Sequence, residues 1–398
     1  MSFTATATIR TATVTGTWAT PATWGGTAPV AGDSCVIPLG ITVTVGASTT
    51  VGAVNVIGGL TITTNGVVLT VTGGSGTPLT YGTVGGTGTI TAANTGGTTN
   101  TITLTSGDWS FSGAFVGSRL TVRMTGTADD QTISGALSCR VFVMVKSTTT
   151  LHFVITPTVS TTRTLTSGNV VYDGAAQNIL VATHPGSVTL SGSGIKTTTG
   201  VTVVTGDLII NDGITLSVGG FNLTLNGTTT IGGGTSGTMT LASVTGTKQF
   251  TGLVTLNAGA TWNNAINEAV NFRGGITDNG STFTAGTGAY TFTTNVQELN
   301  GTFSIPTATF SIASTNNGTL TSATQLSVIG VVLTNNGTIN SSTSITNTGT
   351  LSISSTGIVN ITGGSCSITT LTNAGTVTIS GTATTSTVPA SFTNSGTI

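Results

Sequence analysis

Charge is what this chain lacks most. Only 5% of its 398 residues are Asp, Glu, Lys or Arg, against about a quarter in an ordinary soluble domain. Nine basic residues are scattered along it and the net charge is −1. The dense basic footprint that nucleic acid or an anionic membrane surface requires is missing, so neither is an expected partner. No apolar run approaches the ~20 residues of a membrane helix, so no membrane span is expected. Glutamate is confined to Glu268 and Glu298, and the adjacent Asp129 and Asp130 would face opposite ways in an extended strand, which leaves no catalytic carboxylate pair. His152 and His184 lack a Cys, His or acidic partner at ligand spacing, and neither calcium-binding Gly-Gly-x-Gly-x-Asp repeats nor a phosphate loop occurs. The expectation is a protein that is not an enzyme and uses no cofactor or metal. Cys35, Cys139 and Cys366 are too few and too far apart for a disulfide framework, and alternation places each among apolar neighbours as a small buried hydrophobe. The opening "MSFTATATIRTATVTGTW" has neither the basic nor the apolar region of a secretory signal, so export is expected either to leave no trace here or to follow assembly inside a cell.

What fills the chain instead is Thr, Ser, Asn, Val, Ile and 58 glycines. Disordered chains are poor in β-branched residues, so this composition predicts ordered β-structure. Apolar and hydroxyl residues alternate with period two in "GITVTVG", "NTITLTSG" and "GDLIINDGITLSVGGFNLTLNGTTTIGGG", and no segment shows a helical period. Short strands bounded by Gly, Asn-Gly or Asp-Gly predict tight corners with positive φ. Stacked sandwich domains would carry more aromatic anchors and charged outer faces, so an all-β solenoid is favoured.

The C-terminal third supports this with the motif Thr-Asn-x-Gly-Thr-(Leu/Ile/Val), which begins at Thr315, Thr334, Thr346, Thr372 and Thr393. Three of the four spacings match a solenoid coil, while the short step from Thr334 to Thr346 reads as an imperfect period. The predicted corner residues are Asn316, Asn317, Gly318, Asn335, Asn336, Gly337, Asn347, Gly349, Asn373, Gly375, Asn394 and Gly396. At roughly 20 residues per coil the chain would form about 20 coils.

Three regions are expected: 1–107, an N-terminal cap and uncharged coils; 108–172, bulkier and more charged; and 173–398, the main solenoid with Asn-Gly corners. Trp18 and Trp24 are candidates for closing the first coil, with a sugar-stacking platform as the alternative. In 108–172, alternation turns Leu120, Val122 and Met124 inward and leaves Arg119 and Arg123 outside. It likewise predicts an outward set of Arg140, Phe142, Met144 and Lys146, continued by His152. Such a mixture is interface-like; the alternative is a strand buried on both sides by an inserted loop.

"GTWATPATWGGTAPVAGDSCVIPLGITVTV" resembles an opening seen in many large bacterial surface and secreted proteins, and "VVYDGAAQNILVATHPGSVTLSGSGIKTTTGVTVVTGDLIINDGITL" and "GTKQFTGLVTLNAGATWNN" resemble the repeats of adhesin-like β-solenoid proteins. The resemblance implies a right-handed parallel β-helix on a cell surface or in an extracellular fibre. The expected role is a structural rod that associates with itself end to end or laterally, an association also suggested by the uncapped "TNSGTI" at the last residues. Surface glycans or a host receptor are further expected partners. The alternative is a phage tail fibre or another virion appendage. A regular Thr array for ice binding is a third reading, which the uneven corner spacing disfavours.

Overall fold

A computed structural model describes residues 7–397 apart from 63, 74–83, 93–97, 118, 381–382 and 388–390. Its strands pair in parallel and stack as a β-solenoid of about 17 turns, with 54% strand and 1% helix. The turns are fewer than the sequence predicts, because corner loops lengthen some coils. Between the paired residues Leu223 and Lys248, for example, the chain takes in the glycine bend at Gly232, Gly233 and Gly234. The chain divides into two units, Met1–Gly186 and Ser187–Ile398.

In the first unit one sheet runs Gly16–Thr17, Thr42–Thr44, Gly59–Thr61, Thr89–Thr91 and Ala114–Val116. Another runs Asn100–Leu104, Leu120–Met124, Ser138–Phe153 and Thr158–Tyr172. The charged segment 108–172 thus forms coils of the same stack. The strand Ile9–Thr11 pairs with Ser34–Ile37, and Arg10 meets the buried Asp33 at 3.0 Å. Burial alone would raise the Asp33 carboxyl, but the Arg10 guanidinium and the backbone N–H groups of Val30 and Thr8 outweigh it and hold the carboxyl below its ordinary value.

In the second unit Ile195–Thr198, Thr215–Val218, Thr238–Leu241, Thr261–Asn263 and Thr282–Thr284 stack in register. Period-two alternation sends Leu216, Met239 and Trp262 into the core and leaves Thr215, Thr238 and Thr261 as an outward column. Hydroxyl columns replace charge as the source of surface polarity. Inside, the few aromatics are concentrated rather than dispersed: Phe250, Phe272, Phe292 and Phe310 occupy one column. Phe292 and Phe310 stack at 4.5 Å between ring centres. Ring stacking repeats at the strand separation, so one residue type in one register position builds a continuous core.

Candidate functional site

The Asn-Gly corner is built from columns. Asn316 pairs with Asn335, Asn335 with Ile353, Ile353 with Asn373 and Asn373 with Asn394, so the position recurs once in each coil. The Asn347 motif is not in this column, because Asn347 stacks between Val328 and Ile368 on another corner. The short step in the motif spacing therefore reports two corners sharing one motif, and the coil itself is regular.

Within the column, Asn316 is fully buried and its Nδ2 donates to Asn335 Oδ1 at 2.7 Å and to the carbonyls of Gly318 and Thr338, both at 3.1 Å. Asn335 Nδ2 donates to the carbonyls of Gly337 (3.0 Å) and Ile358 (2.9 Å), and Asn373 Nδ2 to Asn394 Oδ1 (2.8 Å). The amide ladder starts at Asn316 because Leu299 lies beneath it; Asn316 Oδ1 is consequently buried without a partner. An outer ladder runs beside it, with Asn336 donating to Asn317 and Asn317 to Asn300, each at 2.9 Å.

The corner glycines correct an expectation. Gly318, Gly337, Gly349, Gly375 and Gly396 do not adopt the left-handed φ that the Asn-Gly signal predicts; that conformation falls at other glycines, such as Gly330 (66°). They are glycine because neighbouring coils touch there. A Cβ on Gly337 would run into the Gly318 carbonyl, one on Gly318 into Gly301, one on Gly375 into Gly357, one on Gly396 into Gly375, and one on Gly349 into Val331. Close backbone approach, rather than turn conformation, selects the residue.

The predicted outward set in 108–172 is divided. Arg119, Arg123 and Arg140 are half-exposed, and His152 is half-exposed with Nδ1 2.8 Å from Asp173 Oδ2. Phe142, Met144 and Lys146 are fully buried. Leu137 and Cys139 face inward as expected, but Val141, Val143 and Val145 do not. The reversal has a local cause: the strand Ser138–Phe153 bends through a corner where Arg140 and Val141 are both partly exposed, and the pairing shifts register between Cys139 and Val141. Two successive partly exposed residues reset the alternation. Phe142 then packs 6.0 Å from Phe153, which stacks on Tyr172 at 5.2 Å. The interface-like face is accordingly one of arginine and valine.

Lys146 reaches from the core to donate to the Asp129 carbonyl at 2.9 Å. Burial pulls its ammonium down to about 8, against the opposing carboxylates of Asp130, Asp129 and Asp108. Asp129 and Asp130 are both exposed in one bend, where Asp129 accepts from Ser106 and Asp130 from the Thr150 N–H. Each holds a neighbouring coil.

Trp18 and Trp24 are buried edge to face at 5.1 Å, and Trp24 Nε1 donates to the Trp18 carbonyl at 2.8 Å. Their burial leaves no open ring face for stacking a sugar. All three cysteines are buried free thiols, and burial raises each above its ordinary value, so they act as apolar fillers.

One surface feature escaped the sequence reading. Val201, Phe221, Val244 and Ile266 are 52%, 45%, 59% and 44% exposed. They shortly precede the strands beginning at Thr202, Leu223, Lys248 and Val270, which stack in register. Each of these four successive coils thus exposes one apolar side chain in the turn segment ahead of its strand. The signal for it is an apolar residue inside the turn segment, in "GVTVV", "GGFNL", "ASVTG" and "NAINE", once in each of four successive coils. No family model, curated protein or solved structure matches the chain.

Proposed function

We propose that this protein is a non-enzymatic structural component that forms or decorates an extracellular fibre by lateral association of its solenoids. The exposed Val201, Phe221, Val244 and Ile266, one in each of four successive coils, carry the reading, since apolar surface left exposed on neighbouring coils is a common mark of a protein-binding face. With a net charge of −1 over 398 residues, little long-range repulsion opposes contact between copies. Sedimentation velocity over a concentration series, with negative-stain microscopy of the same samples, tests it. The intact protein is expected to grow into laterally paired species, and the double variant Phe221→Ser/Val244→Ser to shift toward monomer. Monomers alone at every concentration would falsify the proposal.

A further inference from the structure

A groove of about 330 Å³ crosses three successive coils of the second unit, over the strands Lys248–Phe250, Val270–Phe272 and Ala289–Phe292. Parallel register sets Gln249, Asn271 and Thr291 side by side on its outward surface. Their spacing is that of the strands, about 4.8 Å. Ala289 is small and exposed there, which keeps the groove open. The three polar groups differ in what they offer. Thr293 Oγ1 donates to Asn271 Oδ1 at 2.8 Å, which leaves the Asn271 NH₂ to donate outward. Gln249, whose Nε2 donates to Thr251 Oγ1 at 3.4 Å, supplies an amide oxygen, and Thr291, whose hydroxyl donates to the Val270 carbonyl at 3.4 Å, supplies a second acceptor.

The charge on this surface is Arg273. It lines the groove, it forms no ion pair among the described residues, and its Nε is buried without a hydrogen-bond partner. Lys248, the other cation lining the groove, is already engaged: Nζ donates to the Thr245 carbonyl at 2.7 Å and lies 3.8 Å from Glu268 Oε1, with both side chains buried. Burial also favours the neutral form of each, lowering Lys248 and raising Glu268. A guanidinium without an ion-pair partner is suited to a planar anion that accepts two parallel N–H bonds from its terminal nitrogens. A row of amides and a hydroxyl at fixed spacing is suited to ring hydroxyls, and a groove of this size fits a small ligand.

We propose that the groove binds the sugar-acid unit of an acidic polysaccharide, with Arg273 taking the carboxylate and Gln249, Asn271 and Thr291 taking ring hydroxyls. Binding requires no assembly of the protein, so the site stands apart from the fibre reading. The test is calorimetric titration of the intact protein with an oligogalacturonate and with the same oligosaccharide reduced to the neutral alcohol. The acidic form is expected to bind about tenfold or more tightly than the neutral one, and Arg273→Gln to lose that preference with an unchanged melting temperature. Arg273→Lys should keep part of it. Should Arg273→Gln fail to fold, Gln249→Ala is read instead, with a several-fold loss expected. No binding at millimolar acid, equal binding of the two oligosaccharides, or undiminished binding by the folded variant overturns the proposal.

Discussion

At the scale of single residues, the corner shows how one sequence signal can be correct in place and wrong in cause. Gly337 lies where the motif spacing puts it, yet its backbone is not left-handed and the constraint is the Gly318 carbonyl above which it sits. Gly330 is the converse, with a φ of 66° and nothing near the position of a Cβ. Gly337→Ala is therefore expected to cost about 3 kcal/mol, as overpacking against backbone, and Gly330→Ala only about 1 kcal/mol, as a left-handed alanine. Denaturant unfolding of the two variants checks this, and a larger loss at Gly330 would restore the turn explanation. The adjacent asparagines separate in the same way. Asn335 is buried with two carbonyls on its amide nitrogen, whereas Asn336 is exposed. Asn335→Leu should cost about 2 kcal/mol and Asn336→Leu within about 0.5 kcal/mol; equal losses would contradict the ladder. The motif alone could not distinguish them, because "TNNG" names both and burial is decided by the coil beneath.

At the scale of elements, alternation was legible where a strand stays on one face, as in Asn100–Leu104, where Asn100, Ile102 and Leu104 are buried and Thr101 and Thr103 are not. It failed in Ser138–Phe153 because that strand crosses a corner without a Gly or Asn to mark it. The outcome is a buried lysine that sequence periodicity places outside. Its burial gives a signed pH dependence. Lys146 titrates at about 8 in the folded chain, and an unfolded lysine near about 10.4. Between those values the unfolded state binds more protons, so stability contributed at this position rises with pH through that window and is flat below it. Measured by denaturant midpoint from about pH 6 to 9, the wild-type protein should gain on Lys146→Met only above about 8, and parallel curves would exclude a buried ammonium. Lys248 is common to both proteins and cancels.

At the scale of the whole molecule, the shortage of charge has its own consequence. Association driven by the exposed apolar residues of four successive coils should be nearly insensitive to ionic strength, since screening acts on charges that this chain hardly carries. Sedimentation at low and high salt should give the same distribution, and dissociation by salt would point instead to the arginines of the first unit. Composition, period-two alternation and the recurring Asn-Gly corners determined by themselves that this is an all-β parallel solenoid, because the first two are properties of local chain geometry and the third recurs at the length of a coil. The tertiary structure decided which corner a motif occupies, that Lys146 is inside, that Gly337 answers to a neighbouring carbonyl, and that Gln249, Asn271, Thr291 and Arg273 share one groove. Those facts depend on which residues stacking brings into register from one coil to the next, a sequence separation over which local periodicity carries no information.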